Sequence, residues 1–355
     1  MNFLLRKKNT VYKYILALLT LGTFSSSFAC TDFLLVNEKK NVVVGRSMEF
    51  GMKLQSAIEI YPRNEKHTSI LSNSKKGLSW VSKYAYIGVT SFGSNLIADG
   101  MNEKGLSIGT LWFPGAKYPK IPKDKAEETI AVEDLSSWIL GSFKNLDEVR
   151  EGLENIYIWF HEIKALKEVP PIHLALHDNS GKSMVIEFLD GKMHFIDNVV
   201  GVLTNTPKFE WQVTNLSNYV NLTAVNKKIA HFDGSVIDPT GEGSGLLGIP
   251  GDWTPPSRFV KIALLKEFVK KTRTTRENVN LAFHLLNTVD IPYGAIRSAD
   301  GKNFDHTQWI VVKDLSNKTF SYRTYKNLNI HTINLEKEVQ KLKGKRRKIK
   351  MIGAD

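Results

Sequence analysis

The chain of 355 residues is predicted to be an α+β protein, a sandwich in which helices lie outside two packed antiparallel β-sheets. The predicted elements follow the order strands, helices, strands, helices, strands. Short turns join most neighbouring strands, as in antiparallel hairpins, and no strand–helix–strand unit for a dinucleotide is present. Because no linker or internal repeat divides the chain, we expect one domain over residues 30–335.

The first strands are predicted to form a β-hairpin. Thr31–Val36 and Val42–Arg46 are apolar runs that a polar turn separates. This hairpin brings Arg46 and Glu49 back to the start of the first strand. Further strands of this first group are predicted over residues 58–62, 84–90, 96–98 and 106–112.

Two pairs of helices and the remaining strands complete the predicted fold. Apolar residues at helical spacing predict helices over 132–143, 146–156, 257–270 and 276–287, with Asn145 as the N-cap of the second. Strands are predicted over 172–177, 184–188 and 192–196, and a hairpin over 308–325. His173 and His177 point to one face of their strand and are interpreted as structural, and Glu187 as paired.

The N-terminal segment has the pattern of a secretory signal peptide. Basic residues precede a short apolar run at 15–21, and small residues end at Ala29. The run is far shorter than the roughly 20 apolar residues of a membrane span, and no later segment is long enough. We therefore predict that residues 1–29 are removed and that the protein is periplasmic or secreted.

A cysteine directly after a signal peptide is also found in lipoproteins. Such signals usually have Leu at −3 and a small residue at −2, where this chain has Ser27 and Phe28. The mismatch disfavours lipidation. A non-enzymatic lipoprotein with a ligand-binding pocket, acylated on Cys30, remains the alternative of a different class.

The net charge of +12 is concentrated at the two ends of the chain. Residues 1–29 carry four positive charges, and residues 336–355 hold eight Lys or Arg against three Asp or Glu, which leaves about +3 for the body. We expect no nucleic-acid partner. Residues 336–355 are interpreted as a solvated, mobile basic tail, with weak attraction to anionic membrane surfaces as the alternative.

Cys30 is the single cysteine of the chain, so no internal disulfide can form. Cleavage after Ala29 would give Cys30 both a thiol and a free α-amine. These groups titrate near 8.5 and 7.7–8.0 in model compounds, so the amine can accept the thiol proton near neutral pH. The thiolate can then attack an acyl carbon. Arg46 could favour the thiolate, or form a surface ion pair.

Other kinds of catalytic site find no support in the sequence. The nine His are scattered, with no HExxH motif or paired spacing, which argues against a metal site. No GxSxG nucleophile elbow occurs. The Gly-rich stretch 241–251 lacks the phosphate-binding GxxxxGK[ST] pattern and is interpreted as a loop beside a pocket.

The chain resembles the choloylglycine hydrolase and penicillin V acylase family of N-terminal-nucleophile (Ntn) amide hydrolases. Each matching segment is short, but they occur in order from Cys30 to about Tyr325. Besides Cys30, they are Gly45–Phe50, Asp99–Leu106, Leu111–Gly115, Leu203–Pro207, Phe209–Trp211, Pro250–Trp253, Pro256–Phe259 and Thr307–Trp309. The resemblance implies a four-layer αββα sandwich, which agrees with the order of the predicted elements.

The resemblance also implies the roles of the catalytic residues. Cys30 would be the nucleophile, with its α-amine as base and Arg46 near the thiol. Glu49 stands where the family commonly has Asp, and would hold the α-amine. Asn205 would point its amide N–H into the oxyanion hole, although its own sequence context is that of a turn former.

Two further residues complete the site that the resemblance implies. Arg258 would join the charged cluster around Cys30. It lies at the start of a predicted helix, where a cation opposes the helix dipole, and this placement indicates a functional reason. Trp112 would supply a backbone N–H to the oxyanion hole, and its side chain would shape the substrate pocket, although it could be a core aromatic.

The implied reaction is hydrolysis of the amide bond of a small-molecule N-acyl substrate through a thioester on Cys30, without a cofactor or metal. The aromatic Trp112 and the signal peptide favour penicillin V or N-acyl homoserine lactones as substrates. A conjugated bile salt hydrolase is the alternative. Members of the family are often tetramers, so a homotetramer is the oligomeric state that the resemblance suggests.

Overall fold

The computed structural model describes residues 29–354. Of the predicted signal peptide it includes only Ala29, so that prediction lies outside the described residues. The helices within residues 29–354 all lack the length or the apolar composition that a membrane-spanning helix needs.

The strands begin at Ala29 and follow one another closely along most of the chain. They are β1 Ala29–Val36, β2 Val42–Phe50, β3 Ala57–Tyr61, β4 Lys66–Ile70, β5 Lys76–Val81, β6 Tyr86–Ser91, β7 Leu96–Asn102, β8 Ser107–Trp112, β9 Thr129–Ala131, β10 Tyr157–Trp159, β11 Ile172–His177, β12 Ser183–Leu189, β13 Lys192–Asp197, β14 Val202–Leu203, β15 Ala230–Phe232, β16 Ser235–Ile237, β17 Ile296–Arg297, β18 Phe304–Asp314, β19 Thr319–Thr324, β20 Asn327–Asn334 and β21 Arg347–Lys350.

The described residues also form six α-helices. They are α1 Val132–Ser142, α2 Leu146–Glu154, α3 Phe209–Asn215, α4 Pro255–Phe268, α5 Thr275–Asn287 and α6 Leu335–Lys341. Short 3-10 helices occupy Ser72–Ser74, Leu216–Tyr219 and Ser244–Leu246. The predicted N-cap is confirmed, since the Asn145 side chain accepts a hydrogen bond from the Glu148 backbone N–H at 3.0 Å.

Two large antiparallel sheets carry the fold. The first sheet has the order β14-β1-β2-β18-β19-β20, with β17 also paired to β18. The second sheet has the order β13-β12-β11-β8-β7-β6-β3-β21. Three two-stranded sheets, β4-β5, β9-β10 and β15-β16, lie apart from them. The predicted hairpin of the first two strands is confirmed, with Cys30 opposite Met48 and Asp32 opposite Arg46.

The sheets pack face to face, with helices on their outer faces. β1 contacts β8 across the space between the sheets, α4 and α5 pack on the first sheet, and α1 packs on the second. All nine residues of β2 are buried, because β1 and β18 flank this strand and both of its faces are covered. The predicted α+β class and its αββα layers are therefore confirmed.

The interpretation of residues 336–355 as a solvated, mobile tail is wrong for the part that the structure describes. α6 ends at Lys341, and β21 then pairs with β3 as an edge strand of the second sheet. Met351 is fully buried and Leu342 nearly so. The Arg346 guanidinium lies 4.7 Å from the centre of the Tyr61 ring. The charge count missed these apolar anchors and the carboxylates that pair with the cations.

Candidate active site

Cys30 lies at the inner face of the first sheet, near the start of β1. Its side chain is only 2% exposed, and its Sγ lies 3.8 Å from the Sδ of Met48 on the neighbouring strand. Strand alternation places Cys30 and Asp32 on the same face of β1, turned towards the second sheet. The start of β1 therefore presents the thiol to the space between the sheets.

The thiol opens into an apolar pocket. Phe50 packs edge-to-face against Trp112, with ring centres 6.2 Å apart, and against Phe92 at 6.0 Å. Around these rings, aliphatic side chains from both sheets and from α1 complete the lining. They include Met48, Leu54, Ile97, Leu111, Val132, Leu135, Leu166, Ile172 and Leu174. Such a surface suits a large apolar group better than a charged one.

Arg46 is the cation on the thiol's own face of the sheet. Its side chain is fully buried, and the guanidinium donates hydrogen bonds to the backbone carbonyls of Ser47 at 3.0 Å and Thr110 at 2.9 Å. Burial alone would lower the pKa of Arg46, but the nearby Cys30 thiol and the Asp32 and Asp99 carboxylates raise it above its ordinary value. Arg46 is therefore a fixed positive charge beside the thiol.

Asn205 links three parts of the site. Its Oδ1 accepts hydrogen bonds from the backbone N–H of Cys30 and from Nη2 of Arg258, both at 2.7 Å. Its Nδ2 donates to the backbone carbonyl of Trp112 at 2.8 Å. One of the two amide hydrogens is thus engaged by protein, and only the other could reach a substrate oxygen. The predicted oxyanion role of Asn205 remains a prediction.

Arg258 sits in the first turn of α4, as the sequence predicted, but its side chain extends away from the helix. The guanidinium donates to the carbonyl of Cys30, to Oγ1 of Thr31 at 2.7 Å, and through Nε to the carbonyl of Trp253 at 2.9 Å. The side chain is fully buried, and burial lowers its pKa. These bonds use the cation to fix the backbone around the nucleophile.

Glu49 lies next to the chain entering Cys30 rather than next to the thiol. It pairs with Ala29 in the β1–β2 register, and strand alternation turns its side chain to the face opposite the thiol. Its Oε1 accepts a hydrogen bond from Oγ1 of Thr307 at 3.1 Å. Burial raises its pKa to about 7 against the opposing effect of Arg258. Whether Glu49 holds the α-amine of Cys30 remains a prediction.

Trp112 ends β8 and is nearly buried. Its ring forms part of the pocket wall, and its carbonyl binds Asn205. Its partner in the neighbouring strand β11 is Ile172. The role predicted for its backbone N–H remains a prediction.

Sequence reasoning missed several polar residues around these groups. Thr31 and Thr307 bind Arg258 and Glu49, and Asp32 binds His177, with 2.6 Å between Oδ1 and Nε2. The signal that could have found Asp32 is a carboxylate at an alternate position of an otherwise apolar strand, in phase with Cys30.

The expected pairing of Glu187 is confirmed by its contacts with His173 and the chain after Asn205. Glu187 Oε1 lies 3.3 Å from His173 Nδ1 and accepts the Phe209 backbone N–H at 2.7 Å. His173 Nε2 lies 2.9 Å from the Thr204 carbonyl. These contacts hold the loop that carries Asn205. Within residues 29–354, no group of three or more His, Cys, Asp or Glu is arranged to hold a metal ion.

Residues 30–346 match the family model of the linear amide C–N hydrolases of the choloylglycine hydrolase family. The match extends from Cys30 to the residue before the C-terminal strand β21 and so covers most of the chain. The chain belongs to the choloylglycine hydrolase family. It is therefore a linear amide C–N hydrolase, and the predicted reaction class is confirmed.

Two curated relatives and one solved structure show how this family member compares with others. A bile salt hydrolase/transferase of Clostridium perfringens is 34% identical over 315 residues, covering 87% of this chain and 93% of the relative. A penicillin V acylase of Pectobacterium atrosepticum is 27% identical over 354 residues, covering 94% and 87%. A crystal structure of a variant conjugated bile acid hydrolase from Clostridium perfringens superposes with a TM-score of 0.80 at 30% identity, covering 92% and 98%.

These comparisons bear on two sequence-based expectations. The superposition confirms that this choloylglycine hydrolase family member has the Ntn-hydrolase fold. The similarity to a bile salt enzyme is higher than that to a penicillin V acylase, so it favours the alternative substrate over the leading one.

Proposed function

We propose that the mature chain begins at Cys30 and hydrolyses conjugated bile salts or closely similar amides. Such substrates join a large, rigid apolar acyl group to a small amine. The observation that carries the proposal is a buried thiol in the lining of an apolar pocket, with a fixed arginine beside it. The identity to bile salt enzymes supports this substrate class.

In the proposed reaction, the apolar pocket takes the acyl group and brings its carbonyl to Cys30. The α-amine accepts the thiol proton, and the thiolate attacks the carbonyl carbon. The C–N bond then breaks, and the ammonium group returns the proton to the leaving amine. Water hydrolyses the thioester and releases the acid. Arg46 favours the thiolate, and donors at Asn205 and Trp112 would stabilise the tetrahedral oxyanion by a few kcal/mol.

Removal of residues 1–29 would activate the enzyme. Cys30 N already donates to Oδ1 of Asn205, and Ala29 pairs with Glu49. Cleavage would place a new amine between these two acceptors. Because Glu49 is buried, an adjacent ammonium would favour its ionised form. Cleavage during export would make secretion to the periplasm or medium and activation a single event.

The substrate proposal is tested by steady-state kinetics on purified mature protein. We expect kcat/KM for glycine- and taurine-conjugated bile salts to exceed that for penicillin V and for N-acyl homoserine lactones. Cys30→Ser, which removes the thiol with little change in size, is the inactive control. A higher kcat/KM for penicillin V or a lactone would reject the bile salt assignment and leave the amidohydrolase assignment intact.

Penicillin V or acyl homoserine lactone acylase activity is the second candidate function. The contact that favours it is the edge-to-face packing of Trp112 on Phe50, which gives the pocket an aromatic wall. Such a wall would suit the phenoxyacetyl group of penicillin V.

Intact mass of protein from a native-type host tests activation and the lipoprotein alternative together. We expect a chain that starts at unmodified Cys30 and gains one adduct with a thiol alkylator, with loss of amide hydrolysis. A lipid-sized addition on Cys30 would support the binding lipoprotein, and active protein that retains residues 1–29 would reject the α-amine mechanism.

We also propose that the chain forms the expected homotetramer and that the β15–β16 hairpin is one of its interfaces. Phe232, Val236 and Ile237 on this hairpin are 66%, 58% and 50% exposed. A second copy that presents the same surface would cover these side chains. Light scattering should show a tetramer that dissociates in Phe232→Ser. A wild-type monomer would contradict the proposal.

A further inference from the structure

We propose that Asp32, held by His177, is a positioning residue that balances the charge of Arg46 and so controls how readily the Cys30 thiolate forms. This inference rests on the proposed role of Cys30 as nucleophile. The residues concerned lie on β1, β2 and β18 of the first sheet and on β7, β8 and β11 of the second, where the two sheets meet.

The geometry places Asp32 in line with the nucleophile. It follows Cys30 by two residues on the same face of β1 and stands directly opposite Arg46 in the β1–β2 register. Its side chain is fully buried, and its Oδ1 lies 2.6 Å from Nε2 of His177, which reaches it from β11 in the second sheet.

The second sheet provides space for this carboxylate at a glycine. A Cβ on Gly109 of β8 would lie 2.7 Å from Oδ2 of Asp32, closer than a side chain can approach. A glycine is therefore needed opposite Asp32. Strand pairing places Gly109 next to Ala175 and Asp99, so the glycine lies within the same inter-sheet cluster.

Several charged or titratable groups face Asp32 from the surrounding strands. Arg46 of β2, His177 of β11 and Lys313 of β18 surround it, and Lys313 is also paired with Asp99 of β7. Although burial opposes ionisation, His177, Lys313 and Arg46 lower the pKa of Asp32 below its ordinary value. Asp32 is therefore ionised at neutral pH. Arg258 and Glu49 belong to the contacts on the opposite face of β1 and β2.

Arg46 interacts electrostatically with two groups that carry negative charge, the Asp32 carboxylate and the thiolate that forms at Cys30. Its guanidinium is fixed by the carbonyls of Ser47 and Thr110, so it does not depend on Asp32 for its position. Asp32 therefore offsets part of the positive charge that Arg46 presents to the thiol. Loss of the Asp32 charge should make the thiolate form more readily without moving Arg46.

This control of charge has a consequence for catalysis. A thiolate that forms too readily is a weaker nucleophile, because nucleophilicity falls as a thiol becomes more acidic. Asp32 would keep the proton on Cys30 until the α-amine takes it in the reaction.

The test measures the rate of Cys30 alkylation by iodoacetamide against pH in the mature protein. Asp32→Asn removes the charge and keeps an oxygen that can accept from His177. We expect alkylation at pH 6 about tenfold faster than in wild type, with the acid limb of kcat/KM shifted to lower pH. His177→Gln is the matched control, since it removes the imidazole and keeps a hydrogen-bond donor, while Lys313 and Arg46 still favour the charged form of Asp32. We expect a much smaller shift for it.

The outcomes separate a charge effect from a merely structural one. If Asp32→Asn does not fold, the double variant Asp32→Asn/His177→Gln also removes the Asp32 charge. In it, two side-chain amides can hydrogen-bond to each other. Unchanged alkylation rates in a folded neutral variant, or an equal shift in His177→Gln, would overturn the inference. Alkylation needs no substrate, so the alkylation rates can be interpreted even if the bile salt proposal fails. Conversely, the enzyme can hydrolyse its substrate even if the charge effect of Asp32 is absent.

Discussion

The side-chain oxygen of Asn205 lies 2.7 Å from the backbone nitrogen of Cys30, although 175 residues separate the two in the chain. The same oxygen accepts from Arg258, and the amide nitrogen of Asn205 holds the carbonyl of Trp112. One side chain thus joins the nucleophile, the buried arginine of α4 and the end of β8. The position of the Cys30 backbone and the position of the Arg258 charge therefore both depend on Asn205.

Asn205→Ala should therefore impair catalysis more than folding. The change leaves Arg258 Nη2 and the Cys30 nitrogen without their shared acceptor, and it removes a predicted oxyanion donor. We expect kcat to fall about 10²–10³-fold and the free energy of unfolding to fall by about 1–3 kcal/mol. Steady-state kinetics and urea unfolding measure the two effects. Asn218→Ala, at an exposed asparagine, is the control, and wild-type kcat in Asn205→Ala would contradict a catalytic role.

Glu49 should make stability depend on pH in the chain that retains Ala29. Burial raises its pKa from 4.5 to about 7, so between these values the folded state binds more protons than the unfolded state. The stability that Glu49 contributes is present below pH 4.5 and is lost as pH rises to 7. Glu49→Gln lacks this loss, so its stability relative to wild type should rise by up to about 3 kcal/mol between pH 4 and pH 8.

Urea unfolding of the uncleaved protein at pH 4 and pH 8 measures the effect of Glu49. Glu267→Gln, at an exposed carboxylate of α4, is the control and should show no such change. Glu49→Gln and wild type could instead differ in free energy of unfolding by the same amount at both pH values. That result would mean that the folded chain does not raise the pKa of Glu49.

Trp112 should influence the choice of substrate. Its ring packs on Phe50 in the pocket wall, so Trp112→Asn replaces an aromatic surface by a smaller polar one. We expect kcat/KM for penicillin V to fall by about 10-fold relative to that for bile salts, since one lost aromatic contact is worth about 0.5–1.5 kcal/mol beyond its buried area. Competition assays with both substrates measure the ratio. Equal losses for the two would show that Trp112 supports the fold of the site without selecting substrate.

The C-terminal strand should contribute to stability through Met351. This side chain is fully buried behind β21, so Met351→Ala should lower the free energy of unfolding by about 2–5 kcal/mol. Thermal and urea unfolding check the value. Lys350→Ala changes the exposed neighbour and should cost less than about 0.5 kcal/mol. Similar small effects for both variants would indicate that the segment does not pack on β3 in solution.

The pattern of the sequence predicted the layers and the hairpins because they depend on local alternation and turns. The hairpin of β1 and β2 follows from two apolar strands and a polar turn, and it fixes Arg46 near Cys30 whatever the remaining chain does. The ordered motifs identified Asn205, Arg258 and Trp112. By contrast, a count of charges misjudged residues 336–354, because it ignored the few apolar residues that anchor them.

The sequence by itself determined that the single cysteine lies at the start of a strand and directly follows a segment that resembles a signal peptide. Its ordered motifs also indicated a hydrolase. Only the tertiary structure decided what surrounds that cysteine. Burial raises the pKa of Glu49, and the pairing of Asp32 with His177 brings together side chains that lie 145 residues apart. Burial and long-range pairing arise when the two sheets pack together, so no local pattern of residues could specify them.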